Sequence, residues 1–360
     1  MIIDARTPTQ GPNSIYIFIA SNGDGAVTAD VQGDSDDIAR PVETGGAIDC
    51  EGISLRSIRI DGLTPATAYR VNVRQDDSSF VFHTSTLPQM KSAHRFRFGI
   101  LSDPHCSIRD DIGPGGRLFS YTSILLETAL QRLHEKGVDF VAIPGDLVNA
   151  GKDEEIAEAK RIIDASPVPC KVLVGNHESR PKEFIKAFDL PTCGYYSFNH
   201  KGIHFICIYG RTSSDLLSNC EQNAWLRADL AHHQETPTIL FSHYSFCEIP
   251  YVAREDEHHF VNIEELSALL LSQPQVKAVF VGHKNIPSLQ MNGHVANIVC
   301  PQMINYDNAY DVVDVHESGF MRRIYEIEQL DLLWRSRMPV EDNIPYRFGK
   351  AEARNFVHEW

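Results

Sequence analysis

The chain has 360 residues, 42% hydrophobic, 22% charged and 9% aromatic, a globular composition with apolar material for two domains rather than one. Its formal charge of −15 makes the surface repel polyanions, which excludes bulk nucleic-acid binding by phosphate neutralisation but leaves a small phosphate ester open, since bound cations reverse the sign locally. No apolar stretch approaches the roughly 18 residues of a membrane span, so no membrane partner is expected.

The start, MIIDARTPTQ, has neither the basic residues nor the apolar core of a secretory leader. The eight cysteines show no CxxC spacing, and several lie in apolar runs such as HFICIY and NIVCP, where reduced cysteine acts as a small hydrophobe. Both features predict a cytoplasmic protein.

Residues 1–90 read as short strands: IYIFIA, AVTADV, SLRSIRI, YRVNVRQ and FVFHTS, broken by SNGDG, TGG and QDDSS. No helical period is sustained there. The stretch Gly62-Leu63-Thr64-Pro65-Ala66-Thr67-Ala68-Tyr69 resembles the tyrosine corner of fibronectin type III domains, in which a tyrosine hydroxyl ties a strand crossover to nearby backbone. That resemblance covers about residues 10–88 and implies an all-β sandwich, with a boundary at Pro88.

From Arg95 strands alternate with helical patterns. RFRFGILSD is followed by a helix with Leu126, Ala129, Leu130 and Leu133 on one face, then VDFVAIPGD, a charged helix near Asp153–Ala165, and CKVLVGNH. Strands HFICIYG, TILFSHY, AVFVGH and NIVCP follow, with helices near Ala224–His232 and Ile263–Leu271. DVVDVHESGFMRRIYEIEQ reads as two strands around a turn. The alternation predicts an α/β domain over 91–335, with a tail, 336–360, of no assignable role.

Five strand-like runs end in Ser102-Asp103-Pro104-His105, Gly145-Asp146, Gly175-Asn176-His177-Glu178, Ser242-His243 and Gly282-His283-Lys284-Asn285. Ligands of open α/β sheets collect at the carboxyl ends of strands. Carboxylate, imidazole and amide oxygen suit adjacent hard or borderline cations, a carboxylate being able to bridge two. Each piece alone is common in turns; five in this order behind apolar strands are not.

The order DxH…GD…GNHE…H…GH resembles the calcineurin-like metallophosphoesterase signature, over about residues 95–335 and nearer its cyclic-nucleotide-phosphodiesterase branch. It differs from the purple acid phosphatases, which open DxG and place a tyrosine ligand after the second motif, where this chain has Leu147-Val148-Asn149. The resemblance implies a four-layer α/β/β/α sandwich with two divalent or trivalent metal ions (Mn, Fe, Zn or Mg) at one sheet edge. Asp103 and His105 would bind the first metal, Asp146 would bridge, and Asn176, His243 and His283 would bind the second. His177 would stay off the metals and protonate the leaving group, while Glu178 supports the backbone. The reaction implied is hydrolysis of a small phosphodiester or phosphomonoester by a metal-activated hydroxide.

Two positions depart from the pattern. Asn285 replaces a histidine that would bind the first metal, and Asn149 replaces an aspartate that would pair with His177 in several relatives. The alternative to an enzyme is a degenerate binding protein of the same fold with one metal lost at Asn285, or a front domain serving carbohydrate attachment. Outside the motifs, His258 and His259 read as a charged surface loop, His294 as turn-proximal, Arg109–Asp111 as a solvated loop, and Tyr306 and Asp307 as a loop near the site.

Overall fold

The computed structural model describes residues 1–22, 25–33, 38–39, 42–43, 47–212, 214, 216, 219–249, 260, 263–338 and 347–360. Its first nine strands are β1 (Ile2–Gln10), β2 (Ser14–Asn22), β3 (Val27–Gln32), β4 (Ile38–Ala39), β5 (Val42–Glu43), β6 (Ile48–Cys50), β7 (Ile53–Asp61), β8 (Ala68–Gln75) and β9 (Ser78–Ser85). They form two antiparallel sheets, β1-β2-β7-β5 with β6 on β7, and β4-β3-β8-β9. Alternation places Tyr69, Val71 and Val73 of β8 inward, against Ile15, Ile17 and Ile19 of β2 and Ile58 and Ile60 of β7. The tyrosine corner is made: the Thr64 N–H donates to Tyr69 Oη at 2.8 Å.

The remainder is built on two six-stranded sheets. The first runs β12 (Cys170–Val172), β11 (Val141–Ile143), β10 (His94–Ile100), β19 (Ala309–His316), β20 (Gly319–Glu326), β21 (Phe356–Glu359). The second runs β13 (Tyr196–His200), β14 (Ile203–Cys207), β15 (Thr238–Ser242), β16 (Val276–Val281), β18 (Val295–Val299), β17 (Ser288–Asn292). Strands β10–β12 are mutually parallel, as are β14, β15, β16 and β18. Residues buried on both faces explain why these strands read as continuous apolar runs.

Between the sheets lies a phenylalanine-rich layer of Phe96, Phe98, Phe140, Phe205, Phe241, Phe280 and Phe320. Outside the first sheet, α1 (Thr122–Glu135) buries Leu125, Leu126, Ala129, Leu130 and Leu133, and α2 (Asp153–Asp164) buries Ile156, Ala159 and Ile162. Asp153, Glu154 and Glu155 suit the positive end of α2, and Glu155 accepts from the Ala150 N–H at 2.7 Å. Outside the second sheet, the helices Cys220–His232 and Ile263–Leu271 cover Leu240 and Val279. The layers are therefore α/β/β/α, as the resemblance implies.

The tail left without a role has a structural one. Strand β21 pairs antiparallel with β20, and the Trp360 ring lies 5.8 Å from Phe320. Fully buried Arg354 donates to Asp307, to the Phe348 carbonyl at 2.8 Å and to the Pro8 carbonyl at 3.4 Å. Arg6 in turn reaches Glu326 at 2.9 Å, and Thr9 Oγ1 donates to the Ile324 carbonyl. These bonds join the front sheets to the hairpin and the tail. Tyr306 and Asp307, read as a loop near the site, have buried side chains, Asp307 against Arg354. His294 lies in the β17–β18 turn, as read, while His258 and His259 lie outside the described residues. No helix among the described residues is long and apolar enough to cross a membrane.

Candidate metal centre

The five motifs meet at one end of the double sheet. They follow β10, β11 and β12 of one sheet and β15 and β16 of the other. The site thus spans the mouth of the sandwich, a correction to its placement at one sheet edge. The chain turns sharply after three of these five strands: Asp103 and His105 after β10, Asp146 after β11, and His283 and Asn285 after β16 all have left-handed φ, between +44° and +63°. Asp, Asn and His tolerate that region better than most side chains, and strain of this kind gathers at functional sites.

The glycines before three of the motifs are required by packing. A Cβ on Gly175 would collide with Asp146 Oδ1 and lie 2.6 Å from the Asp146 nitrogen. On Gly145 it would lie 2.7 Å from His243 Nδ1, and on Gly282 2.8 Å from Asp103 Oδ2. Close approach of backbone to ligand is what these GD, GN and GH pairs encode.

Asp146 lies at the centre, 2% exposed. Its Oδ2 is 3.7 Å from His105 Nε2, and its Oδ1 is 3.4 Å from His243 Nε2. Two groups of candidate ligands, His105–Asp146–His177 and Asp146–His243–His283, therefore share this one carboxylate. Asn176 Oδ1 lies 2.7 Å from His243 Nε2 and 2.9 Å from His283 Nδ1, so amide oxygen and both imidazoles converge. Asp103 Oδ1 is 3.9 Å from His105 Nε2, and both its oxygens are 3.2 Å from the His283 N–H.

Surrounding groups hold these side chains. The Pro144 carbonyl is 3.0 Å from His243 Nδ1, which directs Nε2 into the site. Ser102 Oγ donates to Asp103, and the Tyr244 ring packs 4.6 Å from His283. Neither role was read beforehand, although both residues adjoin quoted ligands. Glu178 is fully buried and accepts from the main-chain N–H groups of Asp146, Val148 and Gly175 at 3.0, 3.1 and 2.6 Å, the backbone support expected of it. His177 Nδ1 bonds the main-chain carbonyl of Asn149, so orientation of this ring comes from the backbone and not from the amide side chain. The main-chain N–H of His177 donates to Asp146 Oδ1 at 2.9 Å.

Burial lifts Asp103 to about 6, aided by the charge of Asp146 and opposed by His243. It pushes His105 down to about 3 against the pull of Asp146. For His243 burial opposes the charged ring, but Asp146 and Asp103 outweigh it and raise it to about 9. Burial likewise opposes ionised Asp146, yet the imidazoles of His243, His105 and His177 hold it well below the usual carboxylate range. Burying carboxylates among imidazoles is costly without a cation to take over that balance. The donor set therefore fits divalent metal ions. Buried Asn285 Oδ1 and His105 Nδ1 make no hydrogen bond among the described residues, while Asn285 Nδ2 donates to the His283 carbonyl at 2.8 Å. An amide oxygen left over beside the ligands is consistent with a donor at position 285.

A third cluster, His204–Asp229–His233, lies away from the motifs. Both His204 nitrogens are taken, by Asn199 at 2.9 Å and Asp229 at 2.7 Å, and the His204 and His233 rings stack 12° from parallel. Stacked rings aim their in-plane lone pairs side by side rather than at one point, so this cluster is a structural pair.

This fold and donor set define a phosphoester hydrolase that works with divalent metal ions. A family model described as calcineurin-like phosphoesterase matches residues 96–287, and the chain belongs to that family. It is 26% identical over 196 residues to a probable cyclic nucleotide phosphodiesterase of Fibrobacter succinogenes, covering 52% of this chain and 72% of that one. It is 25% identical over 162 residues to a glycerophosphodiester phosphodiesterase of Enterobacter lignolyticus, covering 41% of this chain and 56% of the relative. Among solved structures, purple acid phosphatase PPD1 from yellow lupin matches 91% of this chain and 72% of its own, with TM-score 0.50 and 15% identity, a likeness of fold alone.

Proposed function

We propose that the chain hydrolyses a small phosphodiester at a dinuclear centre bridged by Asp146. The observation that carries this reading is the division of the Asp146 carboxylate, one oxygen toward His105 and the other toward His243. Asp103, His105 and Asn285 would complete the first metal site, and Asn176, His243 and His283 the second. Divalent cations held there supply a water that is nucleophilic at neutral pH and offset charge on the phosphoryl oxygens. Manganese, iron, zinc and magnesium are all compatible with these donors.

The protein's own contribution is orientation and a proton. With Nδ1 engaged by the Asn149 carbonyl, His177 presents Nε2 as the proton donor to the departing alkoxide. Half-buried, it is reachable from solvent where the ligands Asp103 and His243 are not. A diester is favoured over a monoester by the names of the two relatives and by the DxH opening.

The test joins metal content per chain with hydrolysis of bis(4-nitrophenyl) phosphate and 4-nitrophenyl phosphate in Mn²⁺. Two equivalents of metal, diester preference and loss of both metal and turnover in Asp146→Ala are expected. One equivalent or none, without turnover in any divalent ion, would overturn the dinuclear reading.

A further inference from the structure

The loop between the first motif and α1 returns to the candidate metal centre and carries an arginine with no hydrogen-bond or ion-pair partner among the described residues. The Gly113 N–H donates to the Arg117 carbonyl at 2.7 Å, closing a tight turn. Gly116 sits at φ +78°, where a Cβ would collide with the Ser336 carbonyl, and Ser336 Oγ donates to its oxygen at 2.8 Å. Beyond the turn, the Leu118 N–H donates to the Ile304 carbonyl at 2.9 Å, and the Met303 N–H donates to the Ser102 carbonyl at 3.0 Å. Ser102 is the residue before Asp103. Two lateral spacings of paired backbone, roughly 10 Å, thus separate this loop from the strand end that bears the ligand. Leu118 and Phe119, both buried, fix its root.

Arg117 is half-buried, and its guanidinium makes no hydrogen bond or ion pair among the described residues. Several other buried or half-buried arginines of this part have carboxylates: Arg97 and Arg323 share Asp314, Arg132 has Glu135 and Glu328, Arg322 has Asp311, and Arg354 has Asp307. Arg117 is close enough to His105 for its positive charge to be felt there. An unpaired guanidinium on a pinned loop beside a phosphoester site is a ready anion receptor.

The charge count says which anion is missing. With two divalent cations bound, two aspartate ligands, the monoanion of a diester and one deprotonated water would sum to zero. Arg117 is then a surplus positive charge. We propose, building on the dinuclear reading above, that Arg117 is a specificity residue binding a second anionic group of the substrate, a carboxylate or phosphate carried beyond the scissile diester.

The experiment compares bis(4-nitrophenyl) phosphate with 4-carboxyphenyl 4-nitrophenyl phosphate, which adds one carboxylate and keeps the leaving group. Wild-type protein should favour the carboxylated diester in kcat/KM by roughly tenfold or more, mainly through KM. In Arg117→Ala that ratio should fall to about one, with metal content unchanged, and Arg117→Lys should recover part of it. Calorimetry with phenylphosphonate and its 4-carboxy derivative on the metal-loaded protein gives a readout without turnover, in which the carboxylate should tighten Kd only when Arg117 is present. Equal preference in wild type and Arg117→Ala, or no preference in wild type, overturns the proposal, as does loss of metal in the variant. Turnover of both diesters without discrimination leaves the dinuclear reading intact and removes this one. Absence of turnover with Arg117-dependent phosphonate binding does the reverse.

Discussion

Asn285 occupies a position where the family pattern has imidazole, and its two ends differ. Nδ2 is committed to the His283 carbonyl, whereas Oδ1 is buried and unpaired. An amide oxygen is a harder and weaker donor than imidazole toward late transition metals. Asn285→His should therefore tighten zinc at the first site by roughly tenfold or more, with less effect on magnesium, in competition titrations with a chelating dye. Unchanged zinc affinity would show that position 285 is not a ligand. Asn149 is a different kind of departure. Because its main-chain carbonyl holds His177, Asn149→Ala should keep kcat within about threefold, where loss of a general acid costs about 10²–10⁴. A drop of that larger size would return the role to the amide. The candidate ligands were legible because each is a residue type that coordinates metals. The Asn149 contact was not, since a carbonyl oxygen is common to every residue and leaves no trace in side-chain identity.

At the scale of elements, the strand-to-turn junctions carry the site. The alternation of apolar runs with helical periods gave an α/β domain, the four layers came from the family resemblance, and the HESG turn gave the β19–β20 hairpin, its ends His316 and Gly319 directly opposed. Which sheet each ligand-bearing strand joins was not legible. That depends on pairings such as β10 with β19, more than 200 residues apart, and no local pattern records them. The need for glycine at the junctions is a consequence of this convergence. Gly175→Ala should leave the far-UV circular dichroism of the folded protein unchanged while lowering metal content and turnover together, because its methyl group would displace Asp146. Full metal occupancy in that variant would mean that the turn relaxes and the clash does not govern the site.

For the whole molecule, the tail is the binding element. Residues 347–360 add an edge strand to the first sheet and deliver Arg354 to a buried junction of three separate stretches, through Pro8, Asp307 and Phe348. Removing one member of a buried pair leaves the other charge without compensation, at a cost of about 3–5 kcal/mol. Arg354→Ala should lower the urea midpoint accordingly, and Arg354→Met with Asp307→Leu should restore much of the loss. If the single change alone is neutral, the junction does not hold the parts together. The tail could not be read because FVHE, a four-residue strand of mixed polarity, has no period of its own and is defined by β20.

The left-handed turns at the candidate ligands also bear on how such a site drifts through mutation. At φ +62° position 285 favours a narrow set of side chains, chiefly glycine, asparagine, aspartate and histidine. Three of those four offer a donor to a cation. The main chain therefore screens newly arising variants before any metal does, and most that pass are still ligands. Exchange between imidazole and amide at this position is then a short step between neighbouring tolerated states, one that lets lineages trade metal preference without first passing through a broken site.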